Sequence, residues 1–416
     1  MRILEVSRYK DNFADHQLPF VTEQGAAIAK VLRDMQNDEL SRDKSLNEPH
    51  SLNDEPLVDY FLVKGNYVKA VGALKAKIRE FKPDIVHAHY GLSAITAELQ
   101  SEVPVVTTFH NGETHSWYIN FITSLMSLRA KHVIYVAQHI REMVYFKAKK
   151  FSIIPCGVSL DDCFLMDKAD ARKQLGWDPN KKYILFGGAF DNLRKNYALL
   201  RDAVELLEKE NNTENSEENI KENSSKPKMN NPQSLDNDSK LTSPYSAQEQ
   251  ALGQTNDSSI VANTLPDYSE KHDSILESQK NTKNIEIVEM KGLSREECVL
   301  RMNACDVFAL PTKNEGSPQA LKEAMACNCP IVATDVADIK HLLGDLPGHY
   351  LLPNKKGNGA WWKGDKNSID EMVRLLNDAL NFRGRTKGRE RIVELGYTNE
   401  LVAKKIVKIY EDIIGK

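Results

Sequence analysis

The residues best suited to chemistry lie in one stretch, Asn314-Glu315-Gly316-Ser317-Pro318-Gln319-Ala320-Leu321-Lys322-Glu323-Ala324-Met325-Ala326. The run 306–310 before it reads as a strand, so the stretch sits at a strand's carboxyl end. Ser317 is a good N-cap and Pro318 a good first helical residue, an arrangement that turns free backbone N–H groups and the positive end of a helix dipole toward an anion. Glu315 lies before that helix. Glu323 falls at about the sixth helical position, too far along to be the reciprocal glutamate of a capping box. Two carboxylates therefore bracket an anion-binding turn, a pattern that suits neutral hydroxyls beside a phosphate. A capped helix with a solvated glutamate is the bland reading, and the apolar residues around Glu323 weigh against it.

Two further sets have chemical potential. Phe186-Gly187-Gly188 ends a strand, and Arg194-Lys195-Asn196 precedes a helix over 197–207, which places cations where a diphosphate leaving group would need its charge neutralised. His110 follows a strand over 103–109, so its ring is expected at the mouth of a cleft. His87, His89, His110 and His115 make a His-x-His set that raises metal binding as a rival. His87 lies within its strand, and no metal is expected. Trp361-Trp362 reads as buried surface aromatics, with an acceptor platform as the alternative. Lys147-Ala148-Lys149-Lys150 reads as a solvated helix end, with contact to anionic lipid as its rival.

The elements that must position these groups alternate. In the first half, residues 2–6, 84–87, 103–109 and 133–136 are strand-like, with helical stretches over 22–35, 67–81 and 92–99. In the second half, residues 183–186, 285–290, 306–310 and 330–333 alternate with helices over 197–207, 294–304, 318–326 and 369–380. Alternating βα units require parallel sheets, and doubly wound sheets bind ligands at the carboxyl ends of their strands. The expectation is an α/β chain of two doubly wound domains, 1–165 and 166–395, facing a central cleft, with a last helix over 400–414 that needs a surface to bury against.

The chain has 416 residues and a net charge of −4. Its length suits two domains, and its near balance favours neither a nucleic-acid binder nor an acidic solvating chain. Residues 210–284 hold 24 Asn and Ser, no Phe, Trp or Cys, and a charge of −6, which leaves the other 341 residues at +2. Such a segment cannot build a core and reads as a disordered low-complexity insert. Six cysteines without a CxxC pair read as reduced thiols. No run of about 18 apolar residues is present, and the N-terminus runs straight into a strand without a signal-like segment, so a cytoplasmic address is expected.

Glu315 and Glu323 match the Glu-x7-Glu signature of the retaining nucleotide-sugar glycosyltransferases of family 4, which the chain resembles over nearly all of its length outside the insert. Ile85-Val86-His87-Ala88-His89-Tyr90-Gly91, Thr107-Thr108-Phe109-His110, Ile154-Pro155-Cys156-Gly157-Val158 and Pro330-Ile331-Val332 carry the same resemblance. It implies the GT-B fold of two Rossmann-like domains, with the last helix, in 396–416, crossing back to the first. Glu323 would hold the donor ribose and Glu315 the hydroxyls of the transferred sugar, with Gly316, Ser317 and Pro318 against sugar and diphosphate. Lys195 matches the phosphate lysine. An arginine usual after Gly188 is absent, and Arg194 is its candidate substitute. His110 would position the sugar and stabilise charge at the anomeric centre through its ring and its backbone carbonyl. Gly292 and Leu293 would meet the nucleotide base. Gln24 and Gly25 would lie on the acceptor side, where the family's double glycine is missing. The resemblance implies metal-independent retaining transfer without a cofactor, from a nucleotide-diphosphate sugar to a glycan or lipid-linked glycan. It further suggests a role in surface polysaccharide synthesis, peripheral contact with the inner membrane face and no nucleic-acid partner. A nucleotide-sugar epimerase of the same fold and a non-catalytic nucleotide-sugar sensor are the alternatives.

Overall fold

The computed structural model describes residues 1–9, 19–42, 56–111, 116–224, 284–353 and 365–415. One compact unit, Met1–Leu207 with Asn284–Lys416, carries two sheets in which every strand pair is parallel. The first has the order β2-β1-β3-β4-β5-β6, built from β1 (Ile3–Arg8), β2 (Val58–Val63), β3 (Ile85–His89), β4 (Val105–Phe109), β5 (His132–Tyr135) and β6 (Phe151–Ile153). The second has the order β11-β10-β9-β7-β8, from β7 (Lys182–Phe186), β8 (Ile285–Glu289), β9 (Val307–Leu310), β10 (Ile331–Thr334) and β11 (His349–Leu352). Central strands covered on both faces must be apolar throughout, which is why Val307–Leu310 and Ile331–Thr334 are buried at every position. Strands β2, β6 and β11 escape the sequence pattern because they lie at sheet edges and are only partly buried.

The chain order reverses beside β1 in the first sheet and beside β7 in the second, so each has a crevice at the carboxyl ends of its central strands. The helix Asn399–Ile414 starts at Thr398, whose side chain accepts from the Leu401 N–H. Its Val402, Ile406, Val407 and Tyr410 pack with Ile3, Ile28, Ile85 and Val106, so the end of the chain fills the core beneath the first sheet.

Among the boundaries that differ from the sequence pattern, three bear on the site or the insert. The first long helix runs Pro19–Arg42, longer than 22–35, because Val21, Ile28, Val31 and Leu32 keep one face buried. The helix Gln319–Ala326 begins one residue later than expected: Pro318 occupies the N-cap position with ψ 111°, an extended geometry, and there is no side-chain cap. Ser317 therefore does not cap; it faces Asp338 instead. The helix Tyr197–Ser224 continues beyond residue 207. The rest of the expected insert, 225–283, lies outside the described residues, as do His115 and Trp361-Trp362. Among the described residues no helix is long and apolar enough to cross a membrane.

Candidate functional site

The loop after β9 and the loop after β7 meet at the second sheet's crevice. Lys195 Nζ lies 2.7 Å from Glu315 Oε1, which also accepts from the Thr312 hydroxyl at 3.0 Å. The Lys313 N–H donates to the Arg194 carbonyl at 2.9 Å, tying the two loops together. Gly188 makes room for the lysine: a Cβ there would stand 2.8 Å from Lys195 Cγ. Glu315 is almost fully buried and paired with this lysine. Arg194 is exposed beside the pair.

Glu323 projects from the helix Gln319–Ala326 and is met by a cation that the sequence reading did not single out. Arg295 Nη1 lies 3.1 Å from Glu323 Oε1 and 2.6 Å from Glu23 Oε1, so one guanidinium bridges the second domain's helix and the first domain's Pro19–Arg42 helix. Burial raises the pKa of both glutamates, and Arg295 opposes the rise. Arg295 is the first residue of a helix whose Ser294 and Glu297 form a reciprocal capping box. A cation there opposes the helix dipole, a local cost that could have marked it as functional. Gly292 turns with φ +71° and, with Leu293, leads directly into this helix.

His110 comes to the same place from the first domain. A Cβ on Gly316 would stand 2.8 Å from the His110 carbonyl oxygen, so this carbonyl and the turn before Gln319 are in direct contact. His139 reaches across as well, with Nε2 3.2 Å from the Glu315 carbonyl. Beneath, buried Lys322 donates to the Cys156 carbonyl, and Gln319 Nε2 donates to the Gly157 carbonyl at 2.8 Å. The structure thus brings together Lys195, Glu315, Gly316 and His110, while Glu323, on the helix after the same turn, meets Arg295. Gln24 and Gly25 lie inside the helix Pro19–Arg42, and a Cβ on Gly25 would strike the Tyr60 hydroxyl.

The ring of His110 is engaged from behind. His110 Nε2 is 3.1 Å from His89 Nδ1, His89 Nε2 is 2.7 Å from Glu5 Oε2, and His110 Nδ1 is 3.6 Å from Cys156 Sγ. Burial alone would raise the pKa of Glu5, but the His87 and His89 rings more than offset it and bring it down to about 2. Burial, reinforced by the neighbouring histidines, drives His110 well below the usual imidazole range, and burial pushes the Cys156 thiol up. Burial lowers the pKa of His89 as well, and with both rings neutral the contacts are satisfied when His89 donates Nε2–H to the Glu5 carboxylate, His110 donates Nε2–H to His89 Nδ1, and the Cys156 thiol donates to His110 Nδ1. The His110 carbonyl is then the group it presents to the Gly316 turn.

Glu5, His87 and His89 are the metal-capable cluster among the described residues, all buried. His87 is bracketed by the Tyr410 hydroxyl at 2.6 Å from Nδ1 and the Thr108 hydroxyl at 2.7 Å from Nε2. Every ring nitrogen of His87, His89 and His110 has a protein partner, whereas Glu5 Oε1 is buried without one. Glu5 went unremarked in the sequence; a carboxylate in the middle of Ile3-Leu4-Glu5-Val6, a central strand, was the available signal.

Residues 38–162 match the family described as Glycosyltransferase Family 4, and residues 267–378 match Glycosyl transferases group 1. A curated relative, the N,N'-diacetylbacillosaminyl-diphospho-undecaprenol alpha-1,3-N-acetylgalactosaminyltransferase of Campylobacter jejuni, is 28% identical over 123 residues, 29% of this chain and 30% of that protein. The match thus spans less than a third of the relative's length. Among solved structures, sucrose-phosphate synthase from Thermosynechococcus elongatus superposes with a TM-score of 0.57 at 17% identity over 100% of both chains. Anabaena HepE in complex with UDP superposes with a TM-score of 0.57 at 13% identity over 99% of this chain and 100% of that one. At these identities the superpositions establish the two-domain GT-B fold.

Proposed function

The chain belongs to the GT4-like glycosyltransferases, and from that premise we propose that it transfers a sugar, with retention and without metal, from a nucleotide-diphosphate sugar to a lipid-linked glycan. The observation that carries this reading is the meeting of the Lys195–Glu315 pair and the His110 carbonyl around Gly316. A donor diphosphate would draw Lys195 toward itself, which frees Glu315 to accept from the sugar hydroxyls. Glu323 would accept from the ribose in exchange for part of its pairing with Arg295. The His110 carbonyl, a fixed dipole at the turn, would face positive charge developing at the anomeric carbon. The departing phosphate oxygen takes the acceptor's proton, so no further base is required. The satisfied histidines favour metal independence. The Campylobacter relative's name, that of a transferase acting on a diphospho-undecaprenol-linked sugar, supports the lipid-linked acceptor.

The test is a thermal-shift screen of nucleotide diphosphates and their sugars, followed by proton NMR of the anomeric configuration in the product, with and without chelator. A product of inverted configuration, or activity abolished by chelator, would overturn the mechanism. Glu323→Ala is expected to weaken donor binding about ten- to hundredfold, the worth of hydrogen bonds to a charged acceptor. Calorimetry showing unchanged donor affinity would remove Glu323 from the ribose site.

A further inference from the structure

In a globular protein an amphipathic helix turns its large apolar side chains to the core. The helix Trp117–Ser127, which follows β4 and His110 in the chain, does the reverse. Asn120, Thr123, Ser124 and Ser127 are buried, whereas Trp117 is 73% exposed and Tyr118, Phe121, Ile122 and Leu125 are also exposed. The buried side is self-sufficient. Ser124 donates to the Asn120 carbonyl at 2.6 Å, Ser127 to the Ser124 carbonyl at 2.7 Å, and Asn120 Nδ2 to the Met143 carbonyl at 2.9 Å. Small polar residues here allow close packing, and the apolar residues are left facing outward.

The exposed face extends beyond the helix. The Phe121 ring meets Phe146 at 5.2 Å and Tyr145 at 6.3 Å, and Tyr145 and Met143 are exposed in turn. So large a contiguous apolar surface marks an interaction site. Charge identifies the partner. Residues 116–153 carry six Lys and Arg against one acidic residue, in a chain whose net charge is −4. Lys147, Lys149 and Lys150 are exposed, and among the described residues none has a carboxylate partner.

We propose that the outward face of the helix Trp117–Ser127, with the lysines that follow Phe146, docks the protein on an anionic lipid bilayer. Aromatic and aliphatic side chains would enter the interface beside Lys and Arg at headgroup level. A second copy of the chain fits less well, because self-association would set this basic segment against itself. The inference deepens the reading of a lipid-linked acceptor and rests on it: His110 lies at the end of the strand whose loop leads into this helix.

The test is co-sedimentation of the full chain with vesicles of phosphatidylglycerol and phosphatidylethanolamine, with phosphatidylcholine vesicles as the neutral control. The protein is expected to pellet with the anionic vesicles and to be released by salt. Lys147→Gln/Lys149→Gln/Lys150→Gln is expected to weaken binding on the order of a hundredfold, and Trp117→Ser/Ile122→Ser about tenfold, both with unchanged melting temperature. Wild-type protein that stays in the supernatant, or binding that both variants leave intact, would overturn the proposal. A dimer that Trp117→Ser/Ile122→Ser dissociates, without vesicle binding, would assign the face to a second copy. Donor hydrolysis in vesicle-free buffer is read separately and should be unchanged in both variants. Loss of hydrolysis in the wild type with vesicle binding intact would fault the transferase reading and leave the docking surface standing.

Discussion

Gly316 has to be glycine because two domains touch there. A methyl group would sit 2.8 Å from the His110 carbonyl oxygen and 2.9 Å from Asn111 Cβ, closer than nonbonded atoms tolerate. The turn would have to back away from His110, and with it Glu315, the neighbouring residue. Gly316→Ala is therefore expected to lower kcat roughly a hundredfold, the scale of effect produced by misplacing reacting groups by about 1 Å. Circular dichroism and melting should stay near wild type, since the strain falls on a loop between two intact sheets. Steady-state kinetics with the preferred donor check this, and a variant of normal kcat would mean that the carbonyl and the turn need not touch for catalysis. Gly188 differs in kind: its missing side chain leaves the path of Lys195 clear within one domain.

At the scale of elements, β1, β3 and β4 deliver Glu5, His89 and His110 to one line because parallel strands in register place alternate residues on the same face. Glu5→Gln keeps the shape but removes the carboxylate that sets the tautomers. It is expected to lower kcat with little change in KM. Because the carboxyl's pKa falls to about 2 in the fold from 4.5, its stabilising contribution is present above about pH 4.5 and is lost as the pH drops toward 2. The variant should thus be less stable at pH 7, by about 3 kcal/mol, and its urea midpoint should vary less across that acid range than the wild type's. Equal midpoints at pH 7 would show that the carboxylate does not anchor the line. Much of this level was legible in sequence: the central strands declare themselves as β-branched runs, Glu315 and His110 sit just past strand ends, Lys195 lies in the loop after β7, and Glu323 lies on the helix that follows the Glu315 turn. The Glu5–His89–His110 line was not, since it depends on registry between strands far apart in the chain. Arg295 was hidden for the same reason, its two partners lying in different domains. The reversed helix Trp117–Ser127 escaped because its apolar content resembles that of a core helix until the buried side is known.

The whole molecule gains one pH-dependent liability from its packing. Glu98 ends the helix Gly91–Glu98, and burial, opposed weakly by Arg129, raises its pKa to about 8. A folded pKa above the unfolded value of 4.5 means that the native state holds a proton the unfolded chain has released. Stability should then decline as the pH rises from about 4.5 to 8. Glu98→Gln, which mimics the protonated carboxyl, is expected to be more stable than wild type at pH 8 by about 1–3 kcal/mol and indistinguishable near pH 5. Thermal melts across that range check it, and a difference independent of pH would place the proton elsewhere.

The last helix also gives the protein a schedule. Tyr410 closes on His87 across 323 residues of sequence, and its helix fills the core beneath the first sheet. A ribosome adding about 5–20 residues per second would finish β6 and then need tens of seconds more before Tyr410 emerged. Throughout that interval the first domain would present an open apolar groove and a buried histidine lacking one partner. A nascent chain in that condition is a natural client for chaperones, and a stop codon just before the final helix would leave the first domain without part of its core although every strand of both sheets had been made.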